Sequence, residues 1–296
     1  MAYSSGGLIQ ASDFNTRVAS VNQLWGTGSG NYGYGQSTTV ATNSSGSVVP
    51  ASDWATLIAR MQSMQQHQFN NTTGIPAQPT SGSIITYLSA VDTAITSLQN
   101  NRFTTYAYGT NTNTGNITNA TSWHTSSVKT FTYTWGSDAQ ARYFFNAGGY
   151  IQLQSSGNTI TPATWNSFVN TGFNFFNFAA TTSTHGGTVG TYTRGTYNSG
   201  QGFYNLTSTP TSWLTMTETG TGNANYNANS LDLKFSYNGA GVITMTFTLT
   251  DNDTNVFGYT NTGSTSALAV LYPPETTYLT NTWGTPSIAN TVNSQS

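Results

Sequence analysis

The sequence predicts a mainly β protein: a C-terminal antiparallel β-sandwich behind an N-terminal α-helical module. The expected domains are residues 1–103 and 104–296. Three observations carry this. Before Thr104 the apolar residues recur at spacings of three and four, the period of a helix. After it they alternate, the period of a strand. Turn residues then separate the alternating runs at the short intervals of a sandwich or barrel.

Three helices account for the first hundred residues. Phe14, Val18, Val21 and Trp25 form one stripe. Trp54, Ile58, Met61 and Met64 or Gln65 form a second. Ile84, Leu88, Val91, Ile95 and Leu98 form a third, after Pro76, Pro79 and Gly82. Ile9-Gln10-Ala11-Ser12-Asp13-Phe14 is echoed by Val49-Pro50-Ala51-Ser52-Asp53-Trp54, and each Ser-Asp pair marks a helix start. Asp13 and Arg17 stand at the spacing of a helical ion pair, worth about 0.3–0.5 kcal/mol if exposed. Helices of three or four turns are marginal alone in water, so these seams must pack on one another or on neighbouring copies. The glycines of Gly26-Thr27-Gly28-Ser29-Gly30-Asn31-Tyr32-Gly33-Tyr34-Gly35-Gln36 have no lysine after them and no strand before them. They read as a special turn, not a phosphate loop.

The β half is organised around residues 138–160. Tyr143, Phe144 and Phe145 run into Asn146-Ala147-Gly148-Gly149, and Ile151 and Leu153 then alternate with Gln152 and Gln154, which predicts a β-hairpin. Phe131, Tyr133 and Trp135 alternate with threonines. Leu231, Leu233, Phe235 and Tyr237 precede the turn Asn238-Gly239-Ala240-Gly241, and Ile243, Met245, Phe247 and Leu249 follow it. One apolar and one polar face is the pattern of a half-buried antiparallel strand. Trp165, Phe168 and Val169 share a short helix, and residues 266–272 form a last strand. The final twenty residues read as an extended tail, giving roughly seven to ten strands in all.

Composition narrows function. Seven basic and nine acidic residues make up 5% of the chain, against about 25% in ordinary globular proteins. Aromatics at 13% argue for a folded core rather than disorder. Seven cations and a net charge of −2 exclude a nucleic-acid footprint of any size. No apolar run approaches the ~20 residues of a membrane helix, and residues 1–7 lack the basic and apolar regions of a secretory signal. Without cysteine there is no disulfide or thiolate chemistry.

The candidates for chemistry are few. Asp251, Asp253 and Asn255 alternate as in the first half of a calcium loop, but the glycine and bidentate glutamate of the full motif are missing. His67, His124 and His185 are too widely separated to form a ligand pair. Glu218, Asp232, Asp251, Asp253 and Glu275 supply carboxylates, yet spacing selects no acid–base pair among them. No Gly-x-Ser-x-Gly elbow is present. The expectation is a protein without catalytic residues or cofactor.

One resemblance covers most of the chain. Ala141-Arg142-Tyr143-Phe144-Phe145-Asn146-Ala147-Gly148-Gly149 resembles the "RYFFNAGG" signature of virion structural proteins from tailed phages of marine and cyanobacterial hosts. The stretches 202–207, 226–229, 242–253 and 264–274 fit in order. So do residues 9–15, the turn 25–30 and Gly33-Tyr34-Gly35-Gln36. The resemblance implies a component of neck, tail, baseplate, fibre or capsid surface, made in a host cytoplasm and extracellular in the mature particle. It carries over no catalytic residue. The expected partners are further copies of the chain, as a trimer or hexamer, and other virion proteins. The expected contacts are Phe14, Val18, Val21 and Trp25 together with Leu88, Val91, Ile95 and Leu98. The alternative is a tail-associated adhesin whose sandwich binds host-surface glycan through aromatic and amide side chains.

Overall fold

The computed structural model describes residues 10–81, 88–119, 122–155, 158–161, 163–188, 192–219, 228–252 and 260–295. The chain divides into two compact units. Unit 1 comprises Met1–Gly109, Arg142–Gly148 and Pro274–Trp283, and unit 2 comprises Thr110–Ala141, Gly149–Pro273 and Gly284–Ser296. The helical unit therefore draws on two later segments as well as the first hundred residues.

In unit 1, helices α1 (Ala11–Trp25), α2 (Ala51–Phe69) and α3 (Leu88–Asn100) pack on one another. The two copies of the sequence echo meet, because Phe14 sits edge-on to Trp54 with ring centroids 5.0 Å apart. Helices α1 and α2 each begin at the alanine before the Ser-Asp pair. In α1 the N-cap is Gln10, whose backbone N–H donates to the Asp13 carboxylate at 3.2 Å. That use of Asp13 changes the expected ion pair. Arg17 donates instead to the Asp13 backbone carbonyl and reaches across to Asp92 on α3 at 2.6 Å. The stretch after the glycine turn is held along α1 by two asparagines. Asn15 exchanges a pair of 2.8 Å bonds with the backbone of Asn43. Asn22 does the same with Val40.

Unit 2 holds two antiparallel sheets. Strands β1 (Thr112–Asn119), β2 (Ser126–Thr134), β3 (Tyr150–Ser155), β4 (Phe175–Phe178), β5 (Ser183–His185), β6 (Tyr192–Tyr197), β7 (Thr211–Glu218), β8 (Ser230–Tyr237), β9 (Val242–Thr250), β10 (Thr265–Tyr272) and β11 (Ser287–Gln295) pair in the orders β1-β10-β3-β4-β5 and β11-β2-β9-β8-β7-β6. The β8–β9 hairpin has the expected register, with Leu231 opposite Leu249, Leu233 opposite Phe247 and Phe235 opposite Met245. Rings from the two sheets meet between them. Phe178 of β4 stacks on Phe235 of β8 at 4.6 Å and stands edge-on to Trp213 of β7 at 5.3 Å. Trp165 and Phe168 lie on helix α5 (Ala163–Ser167) and the π-helical turn Phe168–Phe173 that continues it.

Three expectations require correction. Residues 138–146 are helix α4 (Asp138–Asn146), not the first arm of a hairpin. The Ser137 hydroxyl accepts the Gln140 N–H, the Gln140 side chain accepts the Gly136 N–H, and Gly148 ends the turn at a φ of +91°. This is a capped helix with a glycine C-cap. The supposed extended tail is β11, paired with β2 through Ile288–Tyr133 and Thr291–Thr130. Its weak alternation suits an edge strand that buries little. Finally, 28% helix and 31% strand make the protein mixed α/β rather than mainly β, because helical segments also occur beyond Thr104. No helix among the described residues is long and apolar enough to cross a membrane.

One residue of β2 breaks the inward pattern. Ser127, Lys129, Phe131 and Tyr133 all point to the core, and Lys129 is 0% exposed. Its ammonium donates to Ser127 at 3.1 Å and to Thr265 of β10 at 2.6 Å, with no acidic partner among the described residues. Burial pushes its pKa down to about 8. The folded pKa lies below the unfolded one, so this ammonium costs stability at pH 7, and the cost fades as pH rises from 8 towards 10.5. Lys129→Met should therefore raise the melting temperature at pH 7, with a smaller gain at pH 10. Calorimetry at the two pH values checks this; a loss at both would show that the ammonium is a net stabiliser.

Candidate functional site

The two sequence stretches with the most distinctive composition meet in unit 1. Residues 26–36 fold back after α1, where Tyr34, Gly35 and Gln36 donate to the carbonyls of Leu24, Gly26 and Trp25 at 2.8–3.0 Å. Glycine is required at Gly33 and Gly35, which have φ of +95° and +74°. A Cβ on Gly35 would also lie 2.5 Å from the Tyr143 ring. The turn thus leaves several carbonyls facing outwards, and these would be costly to bury unpaired.

Arg142, at the middle of α4, satisfies them. Its guanidinium donates to the carbonyls of Thr27 at 3.1 Å, Gly30 at 3.2 Å and Tyr32 at 2.9 Å. One turn along the helix, Asn146 donates to the Gly33 carbonyl at 2.9 Å. Arg142 and Asn146 are four residues apart and share a helix face. A planar fork with five donors suits several carbonyls at once, which a lysine does not. The clasp is structural: both side chains are bonded to backbone carbonyls and nothing in it is a nucleophile or a base.

Behind the clasp lies a buried polar centre. The Tyr34 hydroxyl donates to the Arg102 carbonyl at 2.9 Å and accepts from Gln68 at 2.9 Å. His67 is 0% exposed, and its Nε2 lies 2.9 Å from the Ala147 carbonyl, so it is the donor. Burial holds the imidazole neutral, with its pKa lowered to about 4. Burial likewise pushes the Tyr34 phenol well above its ordinary value. His67 is thus a neutral core residue at neutral pH, bonded through Nε2 and with its Nδ1 buried without a partner. His124 is exposed on its own, and His185 is half-buried with its pKa lowered by burial and by Arg194.

A polar cleft of about 280 Å³ opens elsewhere in unit 1. Part of its wall is committed to the fold. Gln36 exchanges bonds with the Thr280 backbone, Thr282 donates to the Tyr34 carbonyl and Tyr278 donates to Asn70. Arg60, Ser37, Thr38 and Ser63 also line it. The Arg60 guanidinium lies over the Trp25 ring, 5.0 Å from its centroid. Sequence reasoning missed this cleft, because its residues come from segments over two hundred positions apart.

The eight expected contact residues are turned inwards, and Ile84 of the third stripe lies outside the described residues. Phe14, Val18, Val21, Trp25, Leu88, Val91, Ile95 and Leu98 are between 0% and 9% exposed, so they close the core of unit 1 within one chain. Of the calcium candidates, Asp251 accepts from Asn261 at 2.6 Å. Asp253 and Asn255 lie outside the described residues. Among the described residues no three His, Asp or Glu side chains converge as a metal site.

Near Asp251 lies Glu218, at the end of β7 and 1% exposed. One carboxylate oxygen accepts a long 3.4 Å bond from Asn229 and the other is buried without a partner. Burial pushes its pKa up to about 7; the Asp251 charge adds to this and Asn229 opposes it. The folded pKa is raised, so the carboxyl's own cost to stability is absent below about pH 4.5 and grows as pH rises to 7. Glu218→Gln should melt several degrees above the parent chain at pH 8, at ~2–4 °C per kcal/mol, with the advantage vanishing near pH 4.5. Paired thermal melts check it, and equal curves at pH 8 would show that the carboxylate is not strained.

Comparison with known family models, curated proteins and solved structures found no match to this chain.

Proposed function

We propose that the chain is a non-enzymatic structural component of a tailed-phage particle, working through surfaces that pack on further copies of itself and on other virion proteins. The supporting observation is the clasp. The "RYFFNAGG" stretch and the glycine turn, which both carry the resemblance, form one element in which Arg142 and Asn146 hold four carbonyls. The signature residues are thus explained as architecture, as expected of a protein whose work is shape.

With the helical seams committed to the core, the outer faces of the β-sandwich are the surfaces left for assembly. On the six-stranded sheet, Thr130 and Thr132 of β2 lie beside Thr246 and Thr244 of β9, on the face opposite the core. Beyond them the charged side chains Asp232 and Lys234 pair with each other at 3.2 Å. A hydroxyl-rich face with so little free charge can be covered by a neighbour without stripping water from ions. A trimer or hexamer built on such faces fits a ring-like position in a neck, tail or baseplate. The adhesin alternative expects glycan on the sandwich, whereas the polar cleft lies in unit 1.

The test is the particle itself. Quantitative mass spectrometry of purified phage whose genome encodes the chain should find its peptides in particles, at a copy number divisible by three. Peptides confined to the lysate and absent from particles would contradict the proposal.

A further inference from the structure

We propose that the cleft beside Arg60 is a binding site for an acidic sugar, with Arg60 gripping its carboxylate. The inference starts from where the chain's few cations go. Arg17 pairs with Asp92 and Lys234 with Asp232. Arg102 and Arg142 donate to backbone carbonyls, and Lys129 to hydroxyls. Arg194 lies over the Tyr197 ring at 5.0 Å but is exposed, so water solvates its charge. Arg60 makes no ion pair and no hydrogen bond among the described residues; its contact is the stacking on Trp25 at 5.0 Å. Its Nε is buried without an acceptor. In a chain with seven cations, a half-buried charge left unneutralised on the wall of a cleft has a binding partner missing.

The geometry specifies the partner. The Trp25 indole holds the guanidinium on the cleft wall, and with Nε buried the two Nη groups are left as a two-pronged donor, which matches a planar carboxylate. Arg60 and Ser63 stand three residues apart on α2 and share a face. The side-chain hydroxyls of Ser37, Thr38, Ser63 and Thr280 line the same cleft and make no hydrogen bond among the described residues. A bare carboxylate would use the arginine and leave those hydroxyls idle. A neutral sugar would use the hydroxyls and leave the charge uncompensated. A uronic acid engages both. The cleft's 280 Å³ lies near the lower end of the ~300–1,000 Å³ typical of ligand pockets, a size for one sugar ring rather than an extended chain.

This inference does not rest on the particle reading: a chain absent from virions would still bind the sugar, and a virion component need not. Isothermal titration of the full chain with glucuronate, glucose, acetate and inorganic phosphate tests it. The expected result is binding of glucuronate at least ten times tighter than that of the other three. Arg60→Gln should weaken it at least ten-fold while leaving the melting temperature within about two degrees. Ser63→Leu, which fills the cleft without touching the charge, should abolish it. Acetate or phosphate binding as tightly as glucuronate would overturn the sugar assignment in favour of a plain anion site. Glucuronate binding no tighter than glucose, or binding unchanged in both variants, would overturn the site altogether.

Discussion

One guanidinium fixes the conformation of the glycine turn in unit 1. The turn can fold back on α1 only with glycines at positive φ, and in doing so it turns the Thr27, Gly30 and Tyr32 carbonyls towards Arg142. Arg142 meets all three. Two of the three bonds are exposed and one is part-buried, so each contributes at the low end of the about 1.5–3 kcal/mol of a hydrogen bond to a charged group. With the turn in place, Tyr34 is carried into the buried centre with Gln68 and His67, and Gln36 is carried onto the Thr280 backbone. The same turn supplies Gln36, Ser37 and Thr38 to the wall of the cleft.

A chain with so little charge must satisfy its buried polar groups by other means, and amides do most of it. Asn15 and Asn22 each pair with a backbone segment through two bonds, as a neighbouring strand would. Asn158 does the same for Ser266 in unit 2. Where a charge is buried instead, as at Lys129 and Glu218, its pKa is displaced towards the neutral form. These two groups are local weak points, and neither has the exposure that chemistry on a substrate requires. The exposed polar faces and the polar cleft of unit 1 leave polar groups open to solvent.

Much of the fold was legible in the sequence because the relevant signals are local. The seams of α1, α2 and α3 and the alternation of β8 and β9 follow from spacing alone. The misreading of residues 138–146 shows the limit. Three consecutive aromatics before Gly148 look like a strand entering a turn, yet Ser137 and Gln140 already spelled a helix start. Lys129 was visible one step before Phe131 in the same alternation, but a lysine in an inward register is easily passed over. The clasp was half legible. Both of its stretches stood out, but no pattern along the chain says that residue 142 must reach residues 27–32. The cleft was not legible at all, since it forms where residues near positions 25, 37, 60 and 280 converge.

The most direct test of the clasp is amide hydrogen exchange on Arg142→Lys and the parent chain. The point charge of lysine replaces a fork bound to three carbonyls, so the amides of Tyr34, Gly35 and Gln36, which donate back to α1, should exchange at least ten times faster. The β8–β9 amides of unit 2 should be unchanged. Unaltered protection at Tyr34, Gly35 and Gln36 would contradict the account, because the glycine turn would then hold its shape without Arg142.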